Sequence, residues 1–449
     1  MKTKQILPKL QWYGVYRNFV NIKSIRFLFI LLVSTLIYIG CDPTIKTSID
    51  DHSDTLEDPT LHSLDYHQDQ WLLRINQVIE RSIQLMPLEQ RIAQLLIIQL
   101  RYDSSGQPLR QVNQEIRQVL QDLAPGGIIL FGENVQNPDQ LLRFIYQIHE
   151  AIPGPPAILA IDQEGGLVNR LRNPAMGATP LPSALVMAQH GVDFTHKAGL
   201  VTGKELRSLG ITMNFAPVAD LSGDPQTAFI GTRSFGPNPL DTGYLVSAFI
   251  RGQSEGGVAS VIKHFPGHGA TPIDSHFDVV TFPYTKDQLL ARDLIPFKMG
   301  IDSGASGIMA AHIQYPNIDV DLYPASISPI LLQGLLRDAL GFDRLIITDA
   351  LEMQGVKQIM SSDQAAVQAI IAGADMILTP FNPWPTFRAI MNAVETGQLA
   401  EQRIDQSVRR ILLHKAQWGS GLALQGLEYQ ITRSQEILGS MEHRMLLSR

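Results

Sequence analysis

Eight short apolar runs, spaced along residues 95–378, constrain the fold more than any other feature of the sequence. Runs of this length that are apolar at consecutive positions are typical of strands buried on both faces of a parallel sheet. We therefore predict strands at Leu95–Leu100, Gly127–Phe131, Ala157–Ile161, Met213–Val218, Val258–Ile262, Gly307–Ala311, Leu345–Thr348 and Asp375–Leu378.

Amphipathic segments lie between these runs, and each is long enough to form a crossover helix. Strands that alternate with helices predict the α/β class, and eight such units are best closed as a single (β/α)8 TIM-type barrel with extra N- and C-terminal helices. A doubly wound open sheet is the alternative. The predicted helices are Pro138–Ile148, Phe194–Leu209, Tyr244–Glu255, Lys286–Ser303, Ile330–Leu340, Asp363–Ala372, Thr386–Glu395 and Glu401–Lys415.

Polar side chains follow most of the predicted strands, at the point where each strand ends. In a barrel these strand ends meet at one face, whereas in an open sheet they would be spread along an edge. The distribution of polar residues therefore favours the barrel. The clusters are Asp162–Gly166, Asn214–Asp220, Lys263–His276, His312 and Asp349.

The densest cluster is Lys263–His276, where an apolar run breaks into a loop with one lysine, three histidines and one aspartate. Folding alone does not require so many titratable groups after a strand, where small polar turn residues suffice. Gly267 and Gly269 would let the backbone approach a ligand closely. We interpret this stretch as the centre of a functional site rather than as a basic surface loop.

The composition excludes some classes of protein. With 45% apolar and 18% charged residues, the 449-residue chain can bury a large core. Its net charge of −7 and pI near 5.9 provide no general cationic surface, so we expect no nucleic-acid partner.

The N-terminus has the layout of an export signal. Basic residues precede the apolar run Phe27–Ile39, which is shorter than the roughly 20 residues that a membrane-spanning helix needs. Cys41, the only cysteine, follows Gly40 and resembles the lipid-modified cysteine of bacterial lipoproteins. We therefore predict an exported, membrane-anchored protein; an uncleaved N-terminal anchor is the alternative. The predicted organisation is a signal at 1–41, a tether at 42–65 and the barrel domain at 66–449.

Five motifs in order along the chain resemble the β-N-acetylglucosaminidase branch of glycoside hydrolase family 3. The longest is Lys263–Gly269, which is followed by Asp274 and His276. The others are Ile161–Gly166, Asn214–Val218, Ile230–Gly236 and Thr348–Met353.

The resemblance implies retaining hydrolysis of terminal, non-reducing β-linked N-acetylglucosamine, without a cofactor or metal. It implies that Asp349 is the nucleophile, a role that requires an ionised carboxylate close to the anomeric carbon. It further implies that His276 is the general acid/base and that Asp274 orients its imidazole. A histidine suits this role because its pKa lies near neutrality and a neighbouring carboxylate raises it.

The resemblance also implies a set of sugar contacts. Carboxylate oxygens accept hydrogen bonds from sugar hydroxyls, and arginine and lysine donate them to hydroxyl and acetamide oxygens. His268 and His312 are expected either to support the site or to be histidines satisfied within the core. The implied sugar-binding residues are Asp162, Arg170, Arg233, Lys263 and His264.

Four alternatives remain open at the level of sequence. Glu164 could be the acid, since a pair of carboxylates is the commoner solution in glycosidases. The enzyme could use phosphate as acceptor and act as a phosphorylase, or the chain could be a sugar-binding lipoprotein without catalysis. The histidines near Lys263 could also bind zinc.

Three residues differ from the pattern of the family: Leu167, Thr232 and Ala350 stand where Arg, Asp and a polar residue are common. These differences leave the aglycone undefined, with muropeptides, chitin oligomers and glycoprotein glycans as candidates. We expect a monomer.

Overall fold

The computed structural model describes residues 73–222, 230–268, 280–379, 382–419 and 426–448. In these ranges the strands are β1 (Leu96–Gln99), β2 (Gly127–Leu130), β3 (Ile158–Ile161), β4 (Met213–Asn214), β5 (Ala259–Phe265), β6 (Val280–Thr281), β7 (Gly307–Ala310), β8 (Ile313–Gln314), β9 (Leu345–Thr348) and β10 (Ile377–Leu378). The short strands β6 and β8 pair only with each other.

The other eight strands are those predicted from the sequence, and they form one parallel sheet in the order β10-β1-β2-β3-β4-β5-β7-β9. The two ends of this sheet also meet. The amide of Asp375 donates to the carbonyl of Ile346 over 2.8 Å, and the amide of Thr348 donates to the carbonyl of Met376 over 3.1 Å. The sheet is therefore closed, which confirms the predicted (β/α)8 barrel and rules out the open sheet.

Helices cover the outside of this barrel. Residues 73–85 form α1, an extra N-terminal helix. The next helices are α2 (Leu88–Gln94), α3 (Gln114–Leu123), α4 (Pro138–Ala151), α5 (Ala184–Ser208), α6 (Pro239–Glu255), α7 (Lys286–Ala291), α8 (Leu294–Asp302) and the π-helix α9 (Ile330–Ala339). They are followed by α10 (Gln354–Lys357), α11 (Ser362–Ala372), α12 (Trp384–Glu395), α13 (Glu401–Trp418), α14 (Leu427–Ile437) and α15 (Met441–Leu446).

Side-chain caps define where many of these helices begin. Asn137 and Asn238 accept hydrogen bonds from amides of the first turn, and each is followed by a proline at the first helical position. Thr285 and Ser361 form capping boxes with a glutamine three residues later. The helix boundaries are therefore encoded locally.

Helices α5 and α6 cross at very short range because glycines line the contact. A β-carbon built on Gly252 would lie 2.0 Å from the carbonyl oxygen of His196, and one on Gly199 would lie 2.3 Å from that of Phe249. No side chain fits at such distances. The close crossing brings together the two helices that precede β4 and β5.

A buried carboxylate attaches the C-terminal helices to the barrel. Glu205 on α5 accepts hydrogen bonds from the hydroxyl of Thr179 at 2.6 Å and from the amide of Gly439 at 2.9 Å. Its Oε1 also lies 3.1 Å from Nδ1 of His443 on α15. The extra C-terminal helices are therefore part of the barrel domain.

Several predicted elements differ in extent from those observed, among them helices α5 and α6, which begin at Ala184 and Pro239 rather than at Phe194 and Tyr244. Lys286–Ser303 forms two helices, α7 and α8, because the backbone leaves the helical region at Arg292. The strand predicted to end at Ile262 continues to Phe265, and the one predicted to reach Val218 ends at Asn214.

The predicted signal and tether, with Cys41, lie outside the described residues. None of the helices in the described ranges combines the length and apolar character needed to cross a bilayer.

Candidate active site

The carboxyl ends of the barrel strands bring the predicted site residues to one face. Asp162 directly follows β3, and Asp349 directly follows β9. Lys263 and His264 are among the last three residues of β5. In a parallel barrel these positions lie at the same face, which is formed by the carboxyl ends of the strands. Lys263 and His264 are buried strand residues rather than the loop residues that their polarity suggested.

Asp162 lies between two cations. Its Oδ1 accepts a hydrogen bond of 2.7 Å from Nζ of Lys263, and its Oδ2 lies 3.4 Å from Nη2 of Arg170. The carboxylate is largely shielded from solvent, with 15% of its side chain exposed. Three of the predicted sugar-binding residues therefore contact one another directly.

Glu164 forms the second ion-pair group at this face. Arg233 donates to both of its carboxylate oxygens over 2.8 Å, and Nζ of Lys263 lies 2.6 Å from Oε1. Burial raises the pKa of Glu164, but the charges of Arg233 and Lys263 outweigh burial and hold it well below the usual range. The carboxylate is thus ionised near neutral pH and has no proton to donate, which argues against Glu164 as the general acid.

Asp220 is a site residue to which the sequence analysis assigned no role. It is fully buried, and its Oδ2 lies 2.6 Å from Nδ1 of His264. Its Oδ1 accepts a hydrogen bond of 2.7 Å from the amide of His268. Asp220 therefore fixes the ring orientation of His264 and the start of the loop after β5. The signal for it was a carboxylate directly after the apolar stretch Phe215–Ala219.

His268 lies beside this group, with its ring centroid 6.0 Å from that of His264. Burial, followed by the proximity of His264, lowers the pKa of His268 to about 4, while the carboxylates of Asp220 and Asp349 oppose this change. The ring is therefore neutral near pH 7. His268 and Asp349 follow the carboxyl ends of β5 and β9, so the predicted nucleophile and the β5 group lie at the same face of the barrel.

The loop that begins with Asp349 is held in a defined conformation. The amide of Asp349 continues the barrel ladder by donating to the carbonyl of Ala310 over 2.9 Å. Its own Oδ1 accepts a hydrogen bond of 2.8 Å from the amide of Ala350. The side chain is half-buried and follows directly on the end of β9.

Two guanidinium groups, those of Arg170 and Arg101, stack against aromatic rings near the site. The guanidinium of Arg170 lies 5.7 Å from the ring centroid of Phe131, and that of Arg101 lies 5.0 Å from the same centroid. Arg101 also stacks over Tyr102 at 5.3 Å. Arg170 thus has an aromatic contact in addition to its ion pair with Asp162.

The predicted acid/base pair, Asp274 and His276, lies outside the described residues, so its role stays a prediction. Across the described ranges, no three histidine, cysteine or acidic side chains are grouped in a way that could hold a metal ion.

Comparison with known proteins places this site in a family. Residues 87–413 match the model of the glycosyl hydrolase family 3 N-terminal domain. The chain belongs to glycoside hydrolase family 3. This hydrolase is 40% identical over 312 residues to a β-hexosaminidase of Shewanella frigidimarina, an alignment that covers 65% of the chain and 89% of the relative.

Two further comparisons agree with this assignment. The chain is 32% identical to β-hexosaminidase A of Pseudoalteromonas piscicida over 74% of its own length, and it spans 59% of that larger relative. A structure of a family 3 β-N-acetylglucosaminidase from Paenibacillus matches with 32% identity and a TM-score of 0.70, covering 79% of this chain and 69% of the other. The enzyme is thus a glycoside hydrolase.

Proposed function

We propose that this family 3 hydrolase is a retaining exo-β-N-acetylglucosaminidase that removes terminal non-reducing β-linked N-acetylglucosamine. The observation that carries the proposal is the different state of the carboxylates at the barrel face. Asp162 forms an ion pair with Lys263, and Glu164 forms one with Arg233. Asp349 is half-buried and directly follows β9. The activities named for the relatives above support the choice of sugar.

In the first step, an Asp349 carboxylate oxygen attacks the anomeric carbon as the bond to the aglycone oxygen breaks. His276 gives its proton to that oxygen, and Asp274 stabilises the imidazolium before transfer. Because Glu164 is ionised, the proton has to come from another group, which is consistent with the loop after β5. The product of this step is a glycosyl ester on Asp349.

In the second step, His276 takes a proton from water as the water oxygen attacks the anomeric carbon. The ester bond breaks, Asp349 regains its charge and the sugar leaves with its original β configuration. Asp162 would accept hydrogen bonds from sugar hydroxyls, and Arg170, Arg233 and Lys263 would donate them.

Turnover of 4-nitrophenyl β-N-acetylglucosaminide by the purified full-length chain tests this proposal, with NMR used to identify the first-formed anomer. We expect free β-N-acetylglucosamine, and we expect D349N to lose nearly all activity while it keeps the wild-type melting temperature. Release of sugar 1-phosphate in phosphate buffer would show that the enzyme is a phosphorylase rather than a hydrolase. Tight sugar binding without turnover would indicate a binding protein.

We further propose that the chain is exported and anchored to the membrane through lipid on Cys41. The basic residues, the apolar run Phe27–Ile39 and the position of the single cysteine support this proposal. Labelled palmitate should be incorporated into the wild type but not into C41S. Incorporation into both would contradict lipidation at Cys41.

The aglycone is the least defined part of the substrate, and we propose muropeptides or chitin-type oligosaccharides. A panel of muropeptides, chitin oligomers and glycoprotein glycans with the same terminal sugar would rank these classes by kcat/KM.

A further inference from the structure

The peptide groups next to Asp349 take part in a series of polar contacts that the proposed mechanism does not use, and the innermost of these contacts is buried. The amide of Ala350 donates to Oδ1 of Asp349 over 2.8 Å, and the carbonyl oxygen of Ala350 lies 3.0 Å from Nε2 of His312. The other ring nitrogen of His312 lies 2.7 Å from the hydroxyl oxygen of Ser326. Both ends of Ala350 are therefore fixed, one by Asp349 and one by His312.

The donor and acceptor groups of these residues define the direction of each hydrogen bond in the series. A carbonyl oxygen only accepts hydrogen bonds, so Nε2 of His312 carries a proton and donates to Ala350. In a neutral ring Nδ1 is then the acceptor, and it receives the hydroxyl proton of Ser326. His312 and Ser326 are fully buried. Ser326 thus donates to His312, His312 donates to the carbonyl of Ala350, and the amide of Ala350 donates to the carboxylate of Asp349.

The backbone around His312 and Ser326 is fixed independently of Asp349. The amide of Ser326 donates to the carbonyl of Ala311 over 3.0 Å, and the amide of Ala311 donates to that of Phe265 over 2.9 Å. The pair is therefore built onto the ends of β5 and β7. Its contact with Ala350 therefore holds the loop after β9 against a fixed part of the barrel.

We propose that His312 and Ser326 are positioning residues that set the orientation of the Asp349 carboxylate for attack on the anomeric carbon. This inference rests on the proposed function. Neither side chain has to touch the sugar, since both act through Ala350. A displacement of the reacting oxygen by about 1 Å can cost on the order of 100-fold in rate.

The test uses His312→Leu, which removes both contacts, and His312→Gln, whose amide can still donate to Ala350. We expect kcat to fall on the order of 100-fold in H312L with KM near the wild-type value, and to recover partly in H312Q. Ser326→Ala should lie between them, with a loss of roughly tenfold, because it removes one neutral hydrogen bond. His414→Leu removes a buried histidine in α13, away from the site, and serves as the matched control.

Two aryl N-acetylglucosaminides separate positioning from other roles. A dinitrophenyl leaving group needs no protonation, whereas a phenyl leaving group does. A misplaced nucleophile should slow turnover of both to the same extent, while loss of a proton donor should slow the phenyl glycoside far more. We expect equal losses for H312L, and a loss confined to the phenyl glycoside would contradict a positioning role.

Effects of the substitutions on folding are measured separately from their effects on the rate. Melting temperatures and N-acetylglucosamine affinities are measured for each variant, and a role in stability alone would lower the melting temperature while the folded fraction keeps the wild-type kcat. H312L with wild-type rates on both glycosides would overturn the positioning role only. A wild-type chain that hydrolyses neither glycoside would overturn the proposed function and this inference with it.

Discussion

Arg233 contacts Glu164 side on, with Nε donating to Oε2 and Nη2 donating to Oε1, each over 2.8 Å. Both side chains are largely buried, and Lys263 approaches the same carboxylate from β5. Two predicted sugar-binding cations are thus held in place by a carboxylate whose own role is structural. This relationship assigns Glu164 to the support of the site rather than to proton transfer.

Replacing Glu164 by Gln should destabilise the protein and weaken activity together. The substitution removes the carboxylate that pairs with Arg233 and leaves Asp162 as the carboxylate beside Lys263, so we expect the free energy of unfolding to fall by about 3 kcal/mol. Dinitrophenyl and phenyl glycosides should be slowed alike, without rescue by azide. Selective loss on the phenyl glycoside with azide rescue would instead identify Glu164 as the acid/base. Glu133→Gln, which breaks the half-exposed pair with Arg101, is the control.

The same pair predicts a pH dependence of stability. The pKa of Glu164 is lower in the folded state than in the unfolded chain, where a Glu has a pKa near ~4.3. Its stabilising effect is therefore complete above that value and is lost as the pH falls further. The difference in unfolding free energy between wild type and E164Q, measured in urea, should stay constant above about pH 5.5 and shrink towards pH 3. A difference that is unchanged at pH 3 would contradict this account.

Asp375 should matter for stability but not for chemistry. It is fully buried just before β10, at the face opposite the site, where Arg337, Arg403 and Arg410 contact its carboxylate. Asp375→Asn leaves these cations without an anion, and we expect a loss of about 3–5 kcal/mol in unfolding free energy.

Activity and a surface control complete the test of Asp375. D375N should keep the wild-type kcat at temperatures where it is folded, because the cluster is remote from Asp349. Asp302→Asn, which breaks only an exposed pair with Lys298, should cost no more than about 1 kcal/mol. Equal losses of unfolding free energy in D375N and D302N would show that the buried cluster contributes no more to stability than an exposed ion pair.

Lys415 is a buried lysine that has no carboxylate partner among the residues that the structure describes. Burial lowers its pKa to about 7, and its ammonium group donates to Oε1 of Gln94 over 2.6 Å. Between this pKa and that of an unfolded lysine, near ~10.4, only the unfolded state binds the proton, so stability attributable to Lys415 rises with pH.

The variant Lys415→Met removes this titration while it keeps most of the side-chain volume. The unfolding free energy of the wild type relative to K415M should therefore increase from pH 7 to pH 10, by at most about 1.4 kcal/mol per pH unit. Lys286→Met, at an exposed position, should show no such trend. A flat difference for K415M would mean that Lys415 stays charged in the folded protein.

Much of the barrel was predictable because its strands are buried on both faces and read as continuous apolar runs. β9 was predicted with its observed bounds, since Leu345–Thr348 is flanked by the charged residues Arg344 and Asp349. β5 was predicted too short, because Lys263 and His264 are polar. Their burial in the strand depends on carboxylates that follow other strands.

The sequence indicated individual candidate residues for the site, but not their pairings. Glu164 and Arg233 are 69 positions apart, and Asp220 lies 44 positions before His264. No local pattern indicates which cation each carboxylate meets, since only barrel closure brings them together. For the same reason the sequence left His312 undecided, and the structure shows it bound to Ala350.

The central claim is that Asp349 forms the glycosyl ester, and trapping tests it most directly. The full-length chain is incubated with a 5-fluoro glycosyl fluoride of N-acetylglucosamine, digested and analysed by mass spectrometry. We expect one added fluorosugar on the peptide that contains Asp349, and none on D349N. Turnover of the chromogenic glycoside without any adduct, or an adduct on another residue, would contradict the claim.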